Sequence, residues 1–257
     1  MIIGVNGAQG TGKTTFSYFV SEYISKHYGL NTTVLSLDDF YKTKLERQAM
    51  AESTHPLFKT RGAPGTHDLK LALKTLKACL ERDRSEPIQS PRFRKEIDDR
   101  ASPREWKRIQ PPVDIILFEG WCVSARPQSE KDLVNPINSL ENDSDIEGLW
   151  RRQVNDYLAN TYAELFSFLD HTIMLKVPNF EHIIEWRLEQ EDKLREASQS
   201  LKDAPKHQFM TRESLKEFIA HYERLTRWML QTMPSYADII LSFNSDRSLK
   251  SLVLKNV

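Results

Sequence analysis

Cysteine is almost missing from this 257-residue chain: Cys79 and Cys122 are the whole complement. Two are too few for a disulfide framework, and both lie in apolar sequence, where a buried small hydrophobe is the expected role. Excess charge of either sign is missing as well. Lysine plus arginine number 36 and aspartate plus glutamate 36, so no global field draws the chain to nucleic acid or to an acidic membrane surface. Neither partner is expected. A small anionic ligand remains compatible, since a local cluster binds one without net charge. No apolar run approaches the ~20 residues of a membrane span, and there is no internal repeat or low-complexity stretch. An apolar strand starting at residue 2 is expected to leave no space for a leader. These absences lead to the expectation of a soluble, cytoplasmic protein; the length suits one large domain or two small ones, and a monomer with a single domain over residues 1–257 is expected.

What is present concentrates near the start. Gly7-Ala-Gln-Gly-Thr-Gly-Lys-Thr14 fits the pattern G-x-x-x-x-G-K-[ST] at every specified position. Ile2, Ile3 and Val5 before it suit a buried parallel strand, and Phe16, Phe19, Val20, Tyr23 and Ile24 after it form a helical stripe. Strand, glycine loop and helix in that order are the context the motif requires. Gly7, Gly10 and Gly12 let backbone N–H groups turn inward on phosphate. Lys13 carries an ammonium to the β- and γ-phosphates, and the Thr14 hydroxyl is suited to Mg²⁺. The candidate nucleotide-binding residues are therefore Gly7, Ala8, Gln9, Gly10, Thr11, Gly12, Lys13, Thr14 and Thr15.

A second apolar run at 33–37 ends on Asp38 and Asp39, two carboxylates at the carboxyl end of a strand, where open α/β sheets bind ligands. One of them could accept a proton or hold Mg²⁺ through water; a helix cap is the alternative. A third strand at 113–118 precedes Glu119, a Walker-B-like carboxylate. Strands at 171–177 and 238–243 follow. Helical stripes run through Leu69, Leu73, Leu76 and Leu80 (with Asp68 as N-cap), through 154–169, 180–188 and 211–233. Five strands with intervening helices predict an α/β fold, a doubly wound five-stranded parallel sheet with helices on both faces.

The remaining segments carry less pattern. Residues 42–67 show little until the loop Arg61-Gly-Ala-Pro-Gly-Thr-His-Asp68, where Arg61 and His67 either approach a ligand or sit in a solvated turn. The stretch 82–112 is basic and punctuated by proline. It reads as an inserted substrate loop supplying guanidinium groups to carboxylate or phosphate, or else as a solvated face. Residues 124–149 read as a long surface connection. The charged stretch 187–206, with Arg187 and Lys193, reads as a closing lid or an exposed helix with i,i+4 ion pairs.

Taken together, G-A-Q-G-T-G-K-T, L-S-L-D-D-F-Y, R-G-A-P-G-T-H-D and I-L-F-E-G-W resemble the plant-type D-glycerate 3-kinases and their microbial relatives over nearly the whole chain. These belong to the P-loop kinases, with uridine kinase, phosphoribulokinase and bacterial pantothenate kinase. The resemblance implies Mg²⁺- and ATP-dependent transfer of a γ-phosphoryl group to a hydroxyl of a small metabolite. Position by position, it implies residues 7–14 as the ATP loop, Asp38 as catalytic base with Asp39 the second candidate, and Glu119 with Thr14 at the metal. It further implies Arg187 near the nucleotide or the transferred phosphoryl group and residues 244–247 near adenine. The candidate acceptor residues are Asp39, Tyr41, Arg61, His67, Arg92, Lys95 and Arg100.

One segment departs from the pattern. Where the family shows P-R-Y-D-K-S and then G-x-G-D-R, this chain has Pro91-Arg-Phe-Arg-Lys-Glu-Ile-Asp-Asp-Arg100. Arg94 replaces the aspartate and the glycines are gone. The acceptor therefore stays open between glycerate, another sugar acid, a nucleoside and pantothenate. A carboxylate acceptor predicts arginines converging on Asp38, and a nucleoside predicts an aromatic slot there. From a different class, an ATP-hydrolysing switch or chaperone would turn over nucleotide without any small acceptor.

Overall fold

The computed structural model describes residues 1–199 and 211–255. The first half holds β1 (Ile2–Gly7), α1 (Lys13–Tyr28), β2 (Thr32–Ser36), α2 (Lys44–Ser53), α3 (Leu69–Leu80), β3 (Ile88–Ser90), β4 (Phe93–Arg94), β5 (Asp99–Arg100) and β6 (Lys107–Ile109). The second half holds β7 (Ile115–Gly120), α4 (Ser139–Ser144), α5 (Leu149–Tyr157), α6 (Ala163–Phe166), β8 (His171–Lys176), α7 (Glu181–Gln199), α8 (Arg212–Thr232), β9 (Ile239–Phe243) and β10 (Leu249–Leu254).

The central sheet has the order β10-β9-β8-β1-β7-β2. β1 is parallel to both β7 and β8, β2 to β7, and β8 to β9. The five expected parallel strands are all present, in an α/β sheet with helices on both faces. A sixth, β10, was not expected from the sequence: it returns antiparallel to β9 through a turn in which Arg247 has φ +66°. All six of its residues are exposed, so there was no buried face to impose an alternating pattern on Leu-Lys-Ser-Leu-Val-Leu.

The two faces of the sheet bury different sets. Ile2, Leu35, Ile116, Phe118, Met174 and Ile240 pack toward Leu76 of α3, Leu165 of α6 and Met229 of α8. Val5, Val34, Leu117, Ile173 and Leu175 pack toward Phe16 and Val20 of α1. A third cluster joins Ala8 to Val177, Ile183 and Trp186, and these to Leu215 and Ile219 of α8, which ties the glycine loop to α7. No described helix is long and apolar enough to cross a membrane.

Register decides what reaches the ligand end of the sheet. Asn6 pairs with Gly120, Val5 with Glu119, and Ser36 with Glu119. The loops after β1 and β2 therefore emerge beside the end of β7. β7 begins two residues later than the expected 113 and runs through Gly120, so Glu119 lies within the paired strand and is buried.

Elsewhere the pattern-poor stretches hold more structure than expected. Within 42–67, α2 starts on a full capping box between Thr43 and Glu46, a T-x-x-E signal legible in the sequence. The 82–112 stretch folds as two small antiparallel pairs, β3 with β6 and β4 with β5. The supposed surface connection at 124–149 holds α4 and the fully buried Glu141, which pairs with Arg224 at 2.6 Å. Of the lid expected at 187–206, residues 187–199 continue α7, and the rest lies outside the described residues.

Candidate active site

The glycine loop leaves β1 at Gly7 and enters α1 at Lys13. Gly10 and Gly12 hold φ +80° and +81°, in the left-handed region that favours glycine. A Cβ on Gly7 would lie 2.7 Å from Thr11 Oγ1, so the turn closes only around hydrogen. Thr11 Oγ1 donates to the Ala8 carbonyl at 2.9 Å, and Lys13 Nζ to the same oxygen at 3.4 Å. No side chain caps the start of α1, which leaves its first N–H groups available to an anion. Thr14 Oγ1 instead donates to Glu119 Oε1 at 2.8 Å.

A cleft of about 830 Å³ opens above this loop. Lys13, Thr14, Thr15, Asp38, Asp39 and Glu119 line it, as do Arg61, Lys95 and Lys107 opposite and Arg187, Lys193 and Arg247 from α7 and the β9–β10 turn. Gln9, Gly10 and Gly12 also face it; Gly7, Ala8 and Thr11 shape the loop from behind. Arg187 is held close because α7 packs on the loop: a Cβ on Gly10 would sit 3.4 Å from Trp186 Cβ and 3.7 Å from the Arg187 nitrogen.

The two adjacent carboxylates occupy different electrostatic settings. Asp38 Oδ2 accepts from Lys95 Nζ at 2.6 Å and Oδ1 from the Tyr41 hydroxyl at 3.1 Å. Burial alone would raise its pKa, but Lys95 and Lys13 outweigh that and hold the carboxyl well below the usual range. Among the described residues Asp39 has no ion pair of that kind. Burial, with Asp38 and Glu119 adding, pushes it up to about 6 against a 3.1 Å hydrogen bond from the Phe93 N–H. Lys107, seen in the sequence only as part of a basic run, is drawn into this wall. Its Nζ donates to the Val34 carbonyl at 3.1 Å and to Thr33 Oγ1 at 3.3 Å, and burial lowers its pKa against the pull of Asp39. No periodicity marked that lysine out from its neighbours.

Most of the R-G-A-P-G-T-H-D loop stands behind the cleft. Gly62 (φ +134°) and Gly65 (φ +105°) press on aromatic rings: a Cβ on them would lie 2.1 Å from the Tyr222 hydroxyl and 2.4 Å from the Tyr157 ring. The Gly62 carbonyl accepts from Trp121 Nε1 at 3.0 Å, which joins this loop to the end of β7. His67 is buried, stacks on Tyr41 with 4.3 Å between centroids, and has Nδ1 2.5 Å from the Tyr162 hydroxyl. Burial pushes its pKa down to about 3, so it is a neutral ring supporting Tyr41. Asp68 caps α3 through the Leu71 N–H, as expected. Only Arg61 of this loop reaches the cleft.

The 92–100 segment is divided in the same way. Asp98 Oδ1 accepts from Arg61, while Asp98 Oδ2 accepts from the buried Arg47 at 2.9 Å. The Phe93 ring lies under both guanidiniums, 5.8 Å from Arg47 and 5.7 Å from Arg61. Arg100 donates to the Tyr41 carbonyl at 2.8 Å and to Asp68 at 3.3 Å, away from the cleft. Arg92 is exposed and also outside it. Of the acceptor candidates, Asp39, Arg61 and Lys95 come together in the cleft. Tyr41, His67 and Arg100 support them from behind, and Arg92 does neither.

No family model matches the chain. It is 31% identical to an uncharacterized kinase, mug58, of Schizosaccharomyces pombe, over 86% of this chain and 78% of the relative. It is 29% identical to the chloroplastic D-glycerate 3-kinase of Arabidopsis thaliana over 97% of this chain, and spans about half (51%) of that protein's length. Its fold matches the solved D-glycerate 3-kinase of Cryptococcus neoformans with a TM-score of 0.81 at 24% identity, over 99% of this chain and 89% of that one. With the phosphate loop, the paired aspartates after β2 and the acidic residue closing β7 all in place, the chain belongs to the P-loop kinase family that includes D-glycerate 3-kinase.

Proposed function

We propose that this P-loop kinase phosphorylates a small hydroxy acid, D-glycerate or a close relative, at a hydroxyl group. The observation that carries the reading is the composition of the cleft around Asp38. Lys95 touches Asp38, and Arg61 lies close enough for its charge to act on Lys95. One cation on the proton acceptor and a second near that cation, itself paired with Asp98, suit a carboxylate-bearing alcohol. The aromatic side chains that line the cleft, Tyr18 and Trp186, come from α1 and α7, on the side of the glycine loop. The acceptor end thus lacks, among the described residues, the aromatic slot a nucleoside would want. The Arabidopsis relative's name agrees with this choice.

The residues present fit a hard cation. Mg²⁺ takes oxygen ligands and keeps most of them from phosphate and water, so one hydroxyl and one carboxylate suffice from the protein. The buried Glu119 carboxylate already turns toward the Thr14 hydroxyl, so this pair would hold Mg²⁺ against the triphosphate. Bound there, the ion would neutralise charge on the β- and γ-phosphates. The chain's own groups do the rest. Lys13 offsets charge as it shifts toward the β–γ bridging oxygen. Arg187 lines the same cleft. Asp38 orients the acceptor hydroxyl and takes its proton as the new O–P bond forms and the γ-phosphorus separates from the bridging oxygen, which leaves with ADP. Phosphoryl transfer asks mainly for positioning and charge, which a cleft of fixed cations supplies. α7, carrying Arg187 and Lys193, would exclude water on closing.

The test is a phosphoryl-transfer screen of the purified chain with Mg²⁺ and ATP against sugar acids, nucleosides and pantothenate. D-glycerate or a near analogue is expected to give acceptor-dependent ADP release and a phosphorylated product. Preference for a nucleoside would overturn the acceptor reading. ATP turnover indifferent to every acceptor would instead favour a nucleotide switch.

A further inference from the structure

Both oxygens of the proposed base are already occupied. Lys95 Nζ lies 2.6 Å from Asp38 Oδ2, and the Tyr41 hydroxyl 3.1 Å from Oδ1. Each oxygen keeps a further lone pair, but an adjacent ammonium occupies the Oδ2 side toward the cleft and suppresses the proton affinity of the group. The two partners differ in kind. Tyr41 is buried to 2% and clamped from behind by the His67 ring and by Arg100 on its carbonyl. Lys95 has a side chain 59% exposed and reaches Asp38 from across the cleft. It sits at the tip of the β4–β5 hairpin, where the Ile97 and Asp98 N–H groups fold back on the Arg94 and Lys95 carbonyls. The far side of that turn is fixed: Asp98 is held by Arg47 and Arg61, and Phe93 of β4 lies under both guanidiniums. The lysine side chain can therefore change partner while the backbone stays put.

We infer that Lys95 reads the acid group of the acceptor: it caps Asp38 in the empty cleft and moves to the acceptor's carboxylate when one binds beside Arg61, freeing Asp38 Oδ2 for the hydroxyl. This rests on the hydroxy-acid reading above and deepens it, because it makes the anionic group a condition for catalysis as well as for binding. Arg61 marks where that anion would go, since it is a second cleft-lining cation whose charge already weighs on Lys95. A neutral alcohol or a water molecule offers Lys95 no competing anion and finds the base still capped. The same contact would limit transfer of the γ-phosphoryl group to water. In the productive complex the balance is simple: the hydroxyl proton moves to Asp38 Oδ2, the acceptor oxygen bonds phosphorus, and ADP departs with the bridging electron pair.

The test uses the full chain with Lys95→Met, which keeps the stem and removes the charge, and Lys95→Arg, which keeps the charge. Three rates are measured with Mg²⁺ and ATP: hydrolysis without acceptor, transfer to D-glycerate, and transfer to glycerol. A charge-assisted contact of this kind carries roughly 10- to 10²-fold of discrimination. The parent is expected to favour glycerate, with low hydrolysis. Lys95→Met should shrink the glycerate-to-glycerol ratio of kcat/KM by ~10-fold or more and raise acceptor-free hydrolysis, while Lys95→Arg retains most of the ratio. If Lys95→Met slows all three rates together, or leaves both the ratio and the hydrolysis unchanged, the inference is overturned while the hydroxy-acid reading stands. If the parent itself prefers glycerol or a nucleoside, the hydroxy-acid reading has failed first. The hydrolysis measurement needs no acceptor, so it tests the capping contact even when the true acid is a different one.

Discussion

Thr14 Oγ1 donates to Glu119 Oε1 across 2.8 Å, linking the first turn of α1 to the end of β7, two segments 105 residues apart in sequence. The link depends on strand register. Glu119 sits level with Val5 on one neighbour and Ser36 on the other, so its carboxylate comes up between the phosphate loop and the paired aspartates. A threonine and a buried glutamate in mutual contact behave as one unit, and removing either disturbs the other.

From that coupling, Thr14→Ala and Glu119→Gln should each raise the Mg²⁺ concentration needed for half-maximal turnover, and the double variant should cost less than the two single losses combined. Titrating Mg²⁺ at fixed ATP for all four proteins gives the comparison. Strictly additive losses at unchanged Mg²⁺ demand would reassign Glu119 to holding α1 in place.

Lys13→Ala should lower kcat by ~10²-fold or more, since a preorganised cation at developing charge is worth several kcal/mol. Lys13 also helps to keep the buried Asp38 ionised, so the variant should lose some stability at neutral pH as well. Steady-state kinetics beside a thermal melt separates the two effects. An unaltered kcat would make the loop a structural turn.

How much of this was readable beforehand follows physical lines. The phosphate loop was legible because glycine spacing, lysine and threonine each have one job there, and the order of strand, loop and helix is local. The five parallel strands were legible because burial on both faces makes them continuous apolar runs. β10 was not, because an exposed edge strand carries no such run. Asp38 and Asp39 were legible as a pair, but their unequal settings were not. Lys95 comes from 57 residues away to pair with one of them, while burial outweighs the Phe93 N–H on the other. His67 illustrates the opposite error: a histidine in a glycine-rich loop invites a ligand role, yet the glycines are there to fit the Tyr222 and Tyr157 rings. Lys107 shows a third limit, since its hydrogen bonds to β2 exist only in the folded chain.

The glycine argument has its own measurement. Gly62→Ala and Gly65→Ala combine left-handed or near-left-handed backbone with a methyl placed 2.1 and 2.4 Å from aromatic side chains. Each should destabilise by roughly 2–4 kcal/mol. Gly12→Ala meets nothing within 4 Å and carries only the φ +81° penalty, about 1–2 kcal/mol. Chemical denaturation of the three variants should rank them in that order. A Gly62→Ala protein as stable as the parent would mean that Tyr222 is free to retreat.

The choice of base can be made with pH. Asp38 is held far below neutral by Lys95 and Lys13 once burial has been outweighed, and Asp39 is raised to about 6 by burial. If Asp38 takes the proton, kcat/KM, which reports the free enzyme, should stay level as the pH falls through 6; if Asp39 does, it should fall there with an apparent pKa close to that value. Asp38→Asn is expected to slow transfer by ~10²- to 10⁴-fold while nucleotide affinity holds, and Asp39→Asn to be milder. Stability supplies an independent arm, with the sign fixed by linkage. Asp39 binds its proton more tightly folded than unfolded, so its contribution is fully present below the unfolded value of 3.8 and is lost as pH rises through about 6. Asp39→Asn keeps an oxygen for the Phe93 N–H and cannot ionise. It should therefore lack the parent's loss of stability over that interval and be more stable than the parent at pH 8, by about 1–3 kcal/mol, with the gap closing toward pH 4. Denaturation midpoints at pH 4, 6 and 8 measure this directly. An Asp39→Asn protein that loses more activity than Asp38→Asn, together with an acid limb at about pH 6 in the parent, would move the base to Asp39.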